Sequence, residues 1–389
     1  MSPSSSSPKA TRYPSAAVLM AEAMEATGLK DFGPGDFTLG LEVILASLEH
    51  DGDLAPASDA AVVANFRRRL VNRLEVEEWY RRHPDVALLP VRGPVDINGL
   101  PRTGTTALAN LMSLDPQFRC LRGWEQATPC PPPTTEGETT DPRRLQAAAE
   151  NEQVPPELKA MHLYELDAAT EDSEVLGMSF HGQQYTLPVY DYHRWWRDAD
   201  MEPTYRYHRR VVQLLQSQRP PNLWLFKSPH HKFHLEAIVA AYPDVRFVMT
   251  HRDPGKAVPS YASLVSSVFP PAAGDRDLQK VGKEVSNHLR VGMENAMAAR
   301  ARLGEDRFID VHHRDLAADP LGTAARIYDF LELELEPSVE VAILDWQRSN
   351  RSGSHGAHRY TAEEFGLRTS QIRSEFAFYI DHFDVDIEE

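Results

Sequence analysis

A short, apolar-rich run that ends in glycine, Val95-Asp-Ile-Asn-Gly99, passes directly into Leu100-Pro-Arg-Thr-Gly-Thr-Thr106 and then into Ala107-Leu-Ala-Asn-Leu-Met-Ser-Leu114. The first piece reads as a strand closed by a glycine turn. The last puts Leu108, Leu111, Met112 and Leu114 on one helical face. Strand, glycine loop and helix in immediate succession constrain this chain more than any other feature. They make an anion site of the backbone N–H groups from Gly104 to Thr106, which lie at a helix N-terminus. The spacing Gly99-x-x-x-x-Gly104 is that of a phosphate-binding P-loop, but that motif continues with Lys-Ser/Thr, and Thr105 stands where the lysine belongs. The hydroxyls of Thr103, Thr105 and Thr106 add donors, and positive charge comes from Arg102, whose planar fork suits an oxyanion. In P-loop nucleoside triphosphatases the lysine neutralises the terminal phosphates and a Ser/Thr holds Mg²⁺. The pattern therefore points away from a Mg²⁺–triphosphate ligand.

The same alternation recurs downstream. Leu223–Phe226 is an apolar strand followed by the helical "HKFHLEAIVAAYP", and Val245–Thr250 is a continuous apolar strand followed by the helical "GKAVPSYASLVSSV", with Pro259 near its start. "RFIDVHHRDL" supplies one more strand and "LGTAARIYDFLEL" one more helix. Strands alternating with helices predict an α/β fold, a P-loop-like parallel sheet flanked by helices on both faces. Residues 91–389 are expected to form this domain, with an insertion at about 115–200 that holds the Pro-rich "TPCPPPTTEGETTDP" and the aromatic "YTLPVYDYHRWWRDAD". Residues 16–90 are expected to form an N-terminal helical extension, and the Ser/Pro-rich 1–15 a disordered tail. Within the extension, Val62, Val63, Phe66, Leu70 and Leu74 share a helical face; Ser58 is the expected N-cap, Pro84 the stop, and Arg67, Arg68, Arg69 and Arg73 an outer basic face in solvent.

The formal charge of −16 argues against nucleic-acid binding and against attraction to an anionic membrane. Two cysteines, Cys120 and Cys130, make no disulfide framework and fit a reducing compartment. With no apolar secretory segment and no run long enough to span a bilayer, the expected location is the cytoplasm.

Two more segments carry chemistry. Arg252 follows the strand end at Thr250, and Ser260 lies eight residues on across a strand-to-helix turn, so both reach one phosphate beyond the carboxyl ends of the strands. "HRD" also occurs in protein-kinase catalytic loops, but the downstream Asn and Asp-Phe-Gly are missing. Lys227, in "FKSPHH", ends a third strand. Together "GLPRTGTT", "LFKSPHH", "HRDPGKAVPSYASL", "VHHRDLAADP" and "GAHRYTAEEFGL" resemble, in that order over about residues 95–370, the sulfotransferases that use 3′-phosphoadenosine-5′-phosphosulfate (PAPS). The likeness is to the bacterial Pro-Arg-Ser/Thr-Gly-Thr-Thr branch related to the tyrosylprotein sulfotransferases.

The resemblance implies that Arg102, Thr103, Gly104, Thr105 and Thr106 cradle the 5′-phosphosulfate, that Arg252 and Ser260 grip the 3′-phosphate, and that Arg359, with Arg351 an equal candidate, closes over the nucleotide. It implies that Lys227 stabilises the departing bridging oxygen, that adenosine 3′,5′-bisphosphate is the product and that no metal is needed. Glu125, near the position of the tyrosylprotein enzymes' glutamate, is the first candidate for the general base. His231 is the second and His230 a rival, since imidazole titrates near neutrality. His230, His231 and His234 have helical spacings, yet cannot all face one metal from one helix turn. Tyr185, Tyr190, Tyr192, Trp195 and Trp196 either line an acceptor pocket or form core. If they line it, the partner is a small hydroxylated molecule with a hydrophobic body.

Overall fold

A computed structural model describes residues 11–153, 166–182, 186–349 and 360–388. Five strands form one sheet in the order β2-β3-β1-β4-β5: β1 Val95–Gly99, β2 Phe118–Cys120, β3 Leu223–Lys227, β4 Arg246–His251 and β5 Phe308–His312. Every pairing is parallel. The register sets Ile97 beside both Lys227 and Val248, and Gly99 beside Thr250. The fold is the expected α/β P-loop-like sheet flanked by helices.

Side chains alternate across the strands, so the sheet separates two cores. One face carries Val95, Ile97, Leu225, Val248 and Val311 against the helices Thr105–Met112 and Pro320–Leu331. The other carries Trp224, Phe226, Phe247 and Met249 against the helices Glu202–Gln216 and Leu278–Leu303 and the N-terminal helices. On this second face β1 contributes no apolar side chain; it presents Asp96 and Asn98, both fully buried.

Three N-terminal expectations are corrected. Residues 11–15 are ordered: Tyr13 is buried, its amide bonds Glu49 at 2.9 Å and its hydroxyl bonds Asp59. The long helix starts at Pro56 after Ala55, one turn earlier than a cap at Ser58 requires, and the Ser58 hydroxyl bonds the Pro271 carbonyl at 3.0 Å. Arg69 and Arg73 are buried. Arg73 donates to the carbonyls of Phe32 and Pro34 and stacks 3.7 Å from the Tyr207 ring. A guanidinium tolerates burial where carbonyls and an aromatic face satisfy it, so Arg69 and Arg73 leave the expected basic face, and Arg68 bonds the Ala127 carbonyl and Glu174.

Candidate active site

The carboxyl ends of parallel strands share one edge of the sheet. β1 leaves that edge through Gly99, whose φ is 130°; a Cβ there would lie 2.4 Å from the Thr250 carbonyl oxygen, so glycine alone permits the close pass over β4. The loop beyond is strained. Arg102 is left-handed, with φ 67°, which costs a non-glycine residue about 1–3 kcal/mol and needs support from its surroundings. Thr103 supplies it. Its buried hydroxyl donates to the Leu100 carbonyl at 2.6 Å and meets the Thr250 hydroxyl at 2.5 Å. Of the three hydroxyls expected to face a ligand, that of Thr103 is therefore turned inward and committed to the loop. Thr105 and Thr106 open the helix Thr105–Met112, whose first-turn N–H groups have no intrahelical carbonyl to bond.

The strain turns Arg102 outward, onto the β4 exit. Its Nε donates to the Ser260 hydroxyl at 3.2 Å, and Nη1 of Arg252 donates to the Arg102 carbonyl at 3.2 Å. Arg102, Arg252 and Ser260, from three elements, are thus in contact. The rest of the Arg252 fork holds the Glu388 carboxylate, with Nε and Nη2 donating at 2.7 and 2.8 Å. That pairing raises the Arg252 pKa against the opposing effect of burial. Glu388 is fixed from behind: its amide donates to Asp253 at 3.0 Å and its carbonyl accepts from Arg373 at 2.6 Å.

Lys227, at the end of β3, is only 2% exposed, and its ammonium lies 3.5 Å from Oε1 of Glu171. A chain that gathers an arginine-bearing phosphate loop, a second arginine and a buried lysine at one sheet edge is built to hold and polarise an oxyanion. A model described as "Sulfotransferase family" matches residues 94–337. The chain belongs to the sulfotransferase family.

Two solved structures are similar along nearly the whole length. Sulfotransferase STF9 from Mycobacterium avium is 29% identical, with a TM-score of 0.85 over 99% of this chain and 100% of that one. Sulfotransferase STF1 from Mycobacterium tuberculosis H37Rv is 28% identical, with a TM-score of 0.82 over 95% of this chain and 100% of that one. No curated protein matches the sequence.

Both leading candidates for the base in this sulfotransferase are bound elsewhere. Glu125 is fully buried; it accepts from Arg119 at 2.8 Å and from the Arg122 amide at 3.2 Å, closing the first turn of the short helix Gly123–Ala127. His231 is clamped between Asp96 at 2.6 Å and Asp172 at 2.7 Å. Burial opposes charge on this ring, but the two carboxylates outweigh it and hold the pKa well above the ordinary histidine value. An imidazolium with both nitrogens engaged cannot accept a proton, which corrects the reading of His231 as base. Asp172 also meets His208 at 3.1 Å, and His208 bonds the Tyr242 hydroxyl at 2.7 Å, so a buried polar chain crosses the face of the sheet that β1 leaves polar. His230, also buried, is held neutral: burial and then the nearby Lys232 push its pKa well below the usual range. Burial lowers the Lys232 amine to about 7.

The three histidines do not converge as a metal site. Among the described residues, the trio whose ligand atoms come within 4.8 Å of one another is His50, Asp51 and Asp191, on other helices.

The aromatic segment divides. Tyr192 and Trp196 are core, with the Tyr192 hydroxyl donating to the Phe180 and Gly182 carbonyls and the Trp196 indole to that of His181. Trp195 lines a separate hollow of about 250 Å³ with Phe37 and Pro203. Tyr190 lines a small apolar cavity of about 30 Å³ with Tyr261, Val265, Phe269 and His288. The Tyr261 ring sits 6.3 Å from that of His230, which puts this cavity beside the Lys227 end of the site. Among the described residues, neither ring nitrogen of His288 has a hydrogen-bond partner. Tyr185, Arg351 and Arg359 lie outside the described residues. Glu171, 3.5 Å from Lys227, is a neighbour that the sequence alone does not single out.

Proposed function

We propose that this sulfotransferase moves a sulfuryl group from PAPS to a hydroxyl of a small acceptor with a hydrophobic body, by direct in-line transfer. The observation that carries the reading is the meeting of Arg102, Ser260 and Arg252 at the β1 and β4 exits, with Lys227 at the end of the strand on the other side of β1. The site fits the donor on two counts. The Arg252 fork already holds a bidentate oxyanion, the carboxylate of Glu388. The loop also offers the outward Arg102 and the first-turn N–H groups of a helix, with no lysine to demand a metal-bound triphosphate.

The donor supplies the sulfuryl group. Arg102, Thr105, Thr106 and the backbone from Thr103 to Thr106 hold the 5′-phosphosulfate, and Arg252 and Ser260 the 3′-phosphate. Lys227, buried at the end of β3, stabilises negative charge on the leaving oxygen, where a fixed cation in a dry site is worth far more than in water. A sulfuryl group carries less charge than a phosphoryl group, so fixed cations and N–H donors replace Mg²⁺. The apolar surfaces of Tyr190, Tyr261, Val265 and Phe269 support an acceptor with an aromatic or aliphatic body, which would have to widen the small hollow of about 30 Å³ between them. The two cysteines are free and no described helix is long and apolar enough to cross a membrane, which supports action in the cytoplasm.

Calorimetric titration with adenosine 3′,5′-bisphosphate and with ATP, each with and without Mg²⁺, tests the donor. Tight, metal-independent binding of the bisphosphate is expected. Preference for Mg-ATP sinks the proposal.

A further inference from the structure

We propose that Glu171 is the general base that takes the proton from the acceptor hydroxyl; this rests on the sulfuryl-transfer reading above. Three geometric facts carry it. Oε1 of Glu171 lies 3.5 Å from Nζ of Lys227, so its carboxylate already stands beside the cation assigned to the leaving oxygen. Oε2 is buried and, among the described residues, has no hydrogen-bond partner; Nε2 of His230 stands 3.9 Å from it, too far to bond. A buried carboxylate oxygen left unpaired costs about 1–3 kcal/mol or more, a cost a fold bears where a ligand completes the bond. The backbone is also pinned on both sides of the side chain. The Glu171 carbonyl accepts from Gln126 at 3.0 Å, and the next residue, Asp172, is locked between His231 and His208. The buried His-Asp chain thus acts as an anchor that aims Glu171, and the imidazolium of His231 is part of that anchor.

The groups around the carboxylate suit the role. Facing it are Lys227 from β3 and His230 and Lys232 from the segment after β3, with Asp172 behind it already bonded. His230 is neutral, so it neither competes for the carboxylate as an ion-pair partner nor protonates it. Tyr261, whose ring lies 6.3 Å from that of His230, sets an apolar surface at this end of the site. The step balances as a displacement. The acceptor oxygen forms a bond to sulfur as the bond from sulfur to the 5′-phosphate oxygen breaks. The acceptor proton goes to Glu171, and the electron pair of the broken bond leaves with adenosine 3′,5′-bisphosphate beside Lys227.

The test uses the full chain with PAPS, with 2-naphthol as an apolar hydroxyl acceptor and with water alone as acceptor, and reads release of adenosine 3′,5′-bisphosphate. Bisphosphate affinity is measured in parallel by calorimetry. Glu171→Gln is expected to lower kcat by about 10²–10⁴-fold, the usual worth of a positioned base, and to abolish the acidic limb of the kcat–pH profile. Bisphosphate affinity should stay within roughly threefold, a change below about 1 kcal/mol. Glu171→Asp, which keeps the charge and withdraws it by one methylene, should bind the bisphosphate equally well and turn over slowly, so the assignment remains testable if the glutamine variant misfolds. A Glu171→Gln protein with wild-type kcat and its acidic limb intact overturns the assignment and leaves the transfer reading standing. Wild-type protein that binds the bisphosphate but releases none from PAPS with either acceptor overturns both.

Discussion

Arg252 and Lys227 stand at the ends of β4 and β3, with β1 between them, yet the chain treats the two cations differently. Around Arg252 every partner is fixed: the Arg102 carbonyl on one side, the Glu388 carboxylate across the fork, and Asp253 and Arg373 holding Glu388 in place. Around Lys227 the arrangement is unfinished. Among the described residues, its carboxylate neighbour Glu171 keeps one buried oxygen unpaired and both nitrogens of His288 lack partners, while burial pushes the Lys232 amine down to about 7 although it donates to the Pro229 carbonyl. On the transfer reading proposed above, the Arg252 side only binds, and such a region can be satisfied in advance by a protein carboxylate. A region where bonds change must keep polar atoms in reserve, and the reserve costs stability.

The largest way to break this contrast is Lys227→Ala. Transfer should fall by about 10²–10³-fold, the cost of removing one transition-state donor, while bisphosphate affinity moves less than roughly threefold; single-turnover kinetics and calorimetry separate the two. If binding falls as much as rate, the two ends do not divide the work. Next is Arg252→Ala, expected to weaken bisphosphate binding by about 10–100-fold, since a charge-assisted hydrogen bond is worth about 1.5–3 kcal/mol. An unchanged affinity would remove Arg252 from the nucleotide half.

Lys232→Met probes the cost of the unfinished side. Burial lowers the folded-state pKa of this amine to about 7, whereas an unfolded lysine titrates near 10.5. Between those values the unfolded chain holds a proton that the folded chain does not, so wild-type stability rises with pH across that window, and the penalty is full below about pH 7. The variant should therefore be more stable than wild type by on the order of 1 kcal/mol below pH 7, with the gain fading toward pH 10.5. Denaturant midpoints across pH measure it, and a variant less stable at pH 6 would mean that the bond from Lys232 to the Pro229 carbonyl outweighs the cost of its burial. The smallest effect belongs to Glu388→Gln. The Arg252–Glu388 pair is partly exposed, and such pairs contribute about 0–1 kcal/mol, so bisphosphate should bind up to about fivefold more tightly. Weaker binding would show that Glu388 shapes the arginine for its ligand instead of competing with it.

What could be read from the sequence follows from which signals are local. β3 and β4 are largely continuous apolar runs because strands covered on both faces must be, and the loop after β1 carries Gly99 and Gly104 at phosphate-loop spacing; β5, an edge strand, mixes Phe308, Ile309 and Val311 with Asp310 and His312. β2 has three residues, Phe118–Cys120, too few for any period, and it lies inside the stretch expected as an insertion. The helix Leu278–Leu303 was not assigned, although Val281, Val285 and Leu289 stand at helical spacing. Arg73 looked solvated because its satisfying carbonyls, Phe32 and Pro34, are about forty residues away. Glu171 sits in "TEDSE", which reads as a solvated acidic turn; its meaning appears only when β3 brings Lys227 across a gap of 56 residues. One local hint was available. Asp96 interrupts a strand that the sheet buries on both faces, and a buried carboxylate requires a partner, which is His231.

Glu388 also makes the last helix a gauge of the opposite end of the chain. Ala377–Phe383 reaches the sheet through Tyr379, whose hydroxyl accepts from the Arg252 amide at 3.3 Å, and the segment after it ends on the Arg252 side chain. A phosphate that takes the fork must release that carboxylate. Amide exchange over residues 384–388 should then quicken as nucleotide fills the site, so occupancy becomes readable from a segment that contributes no chemistry.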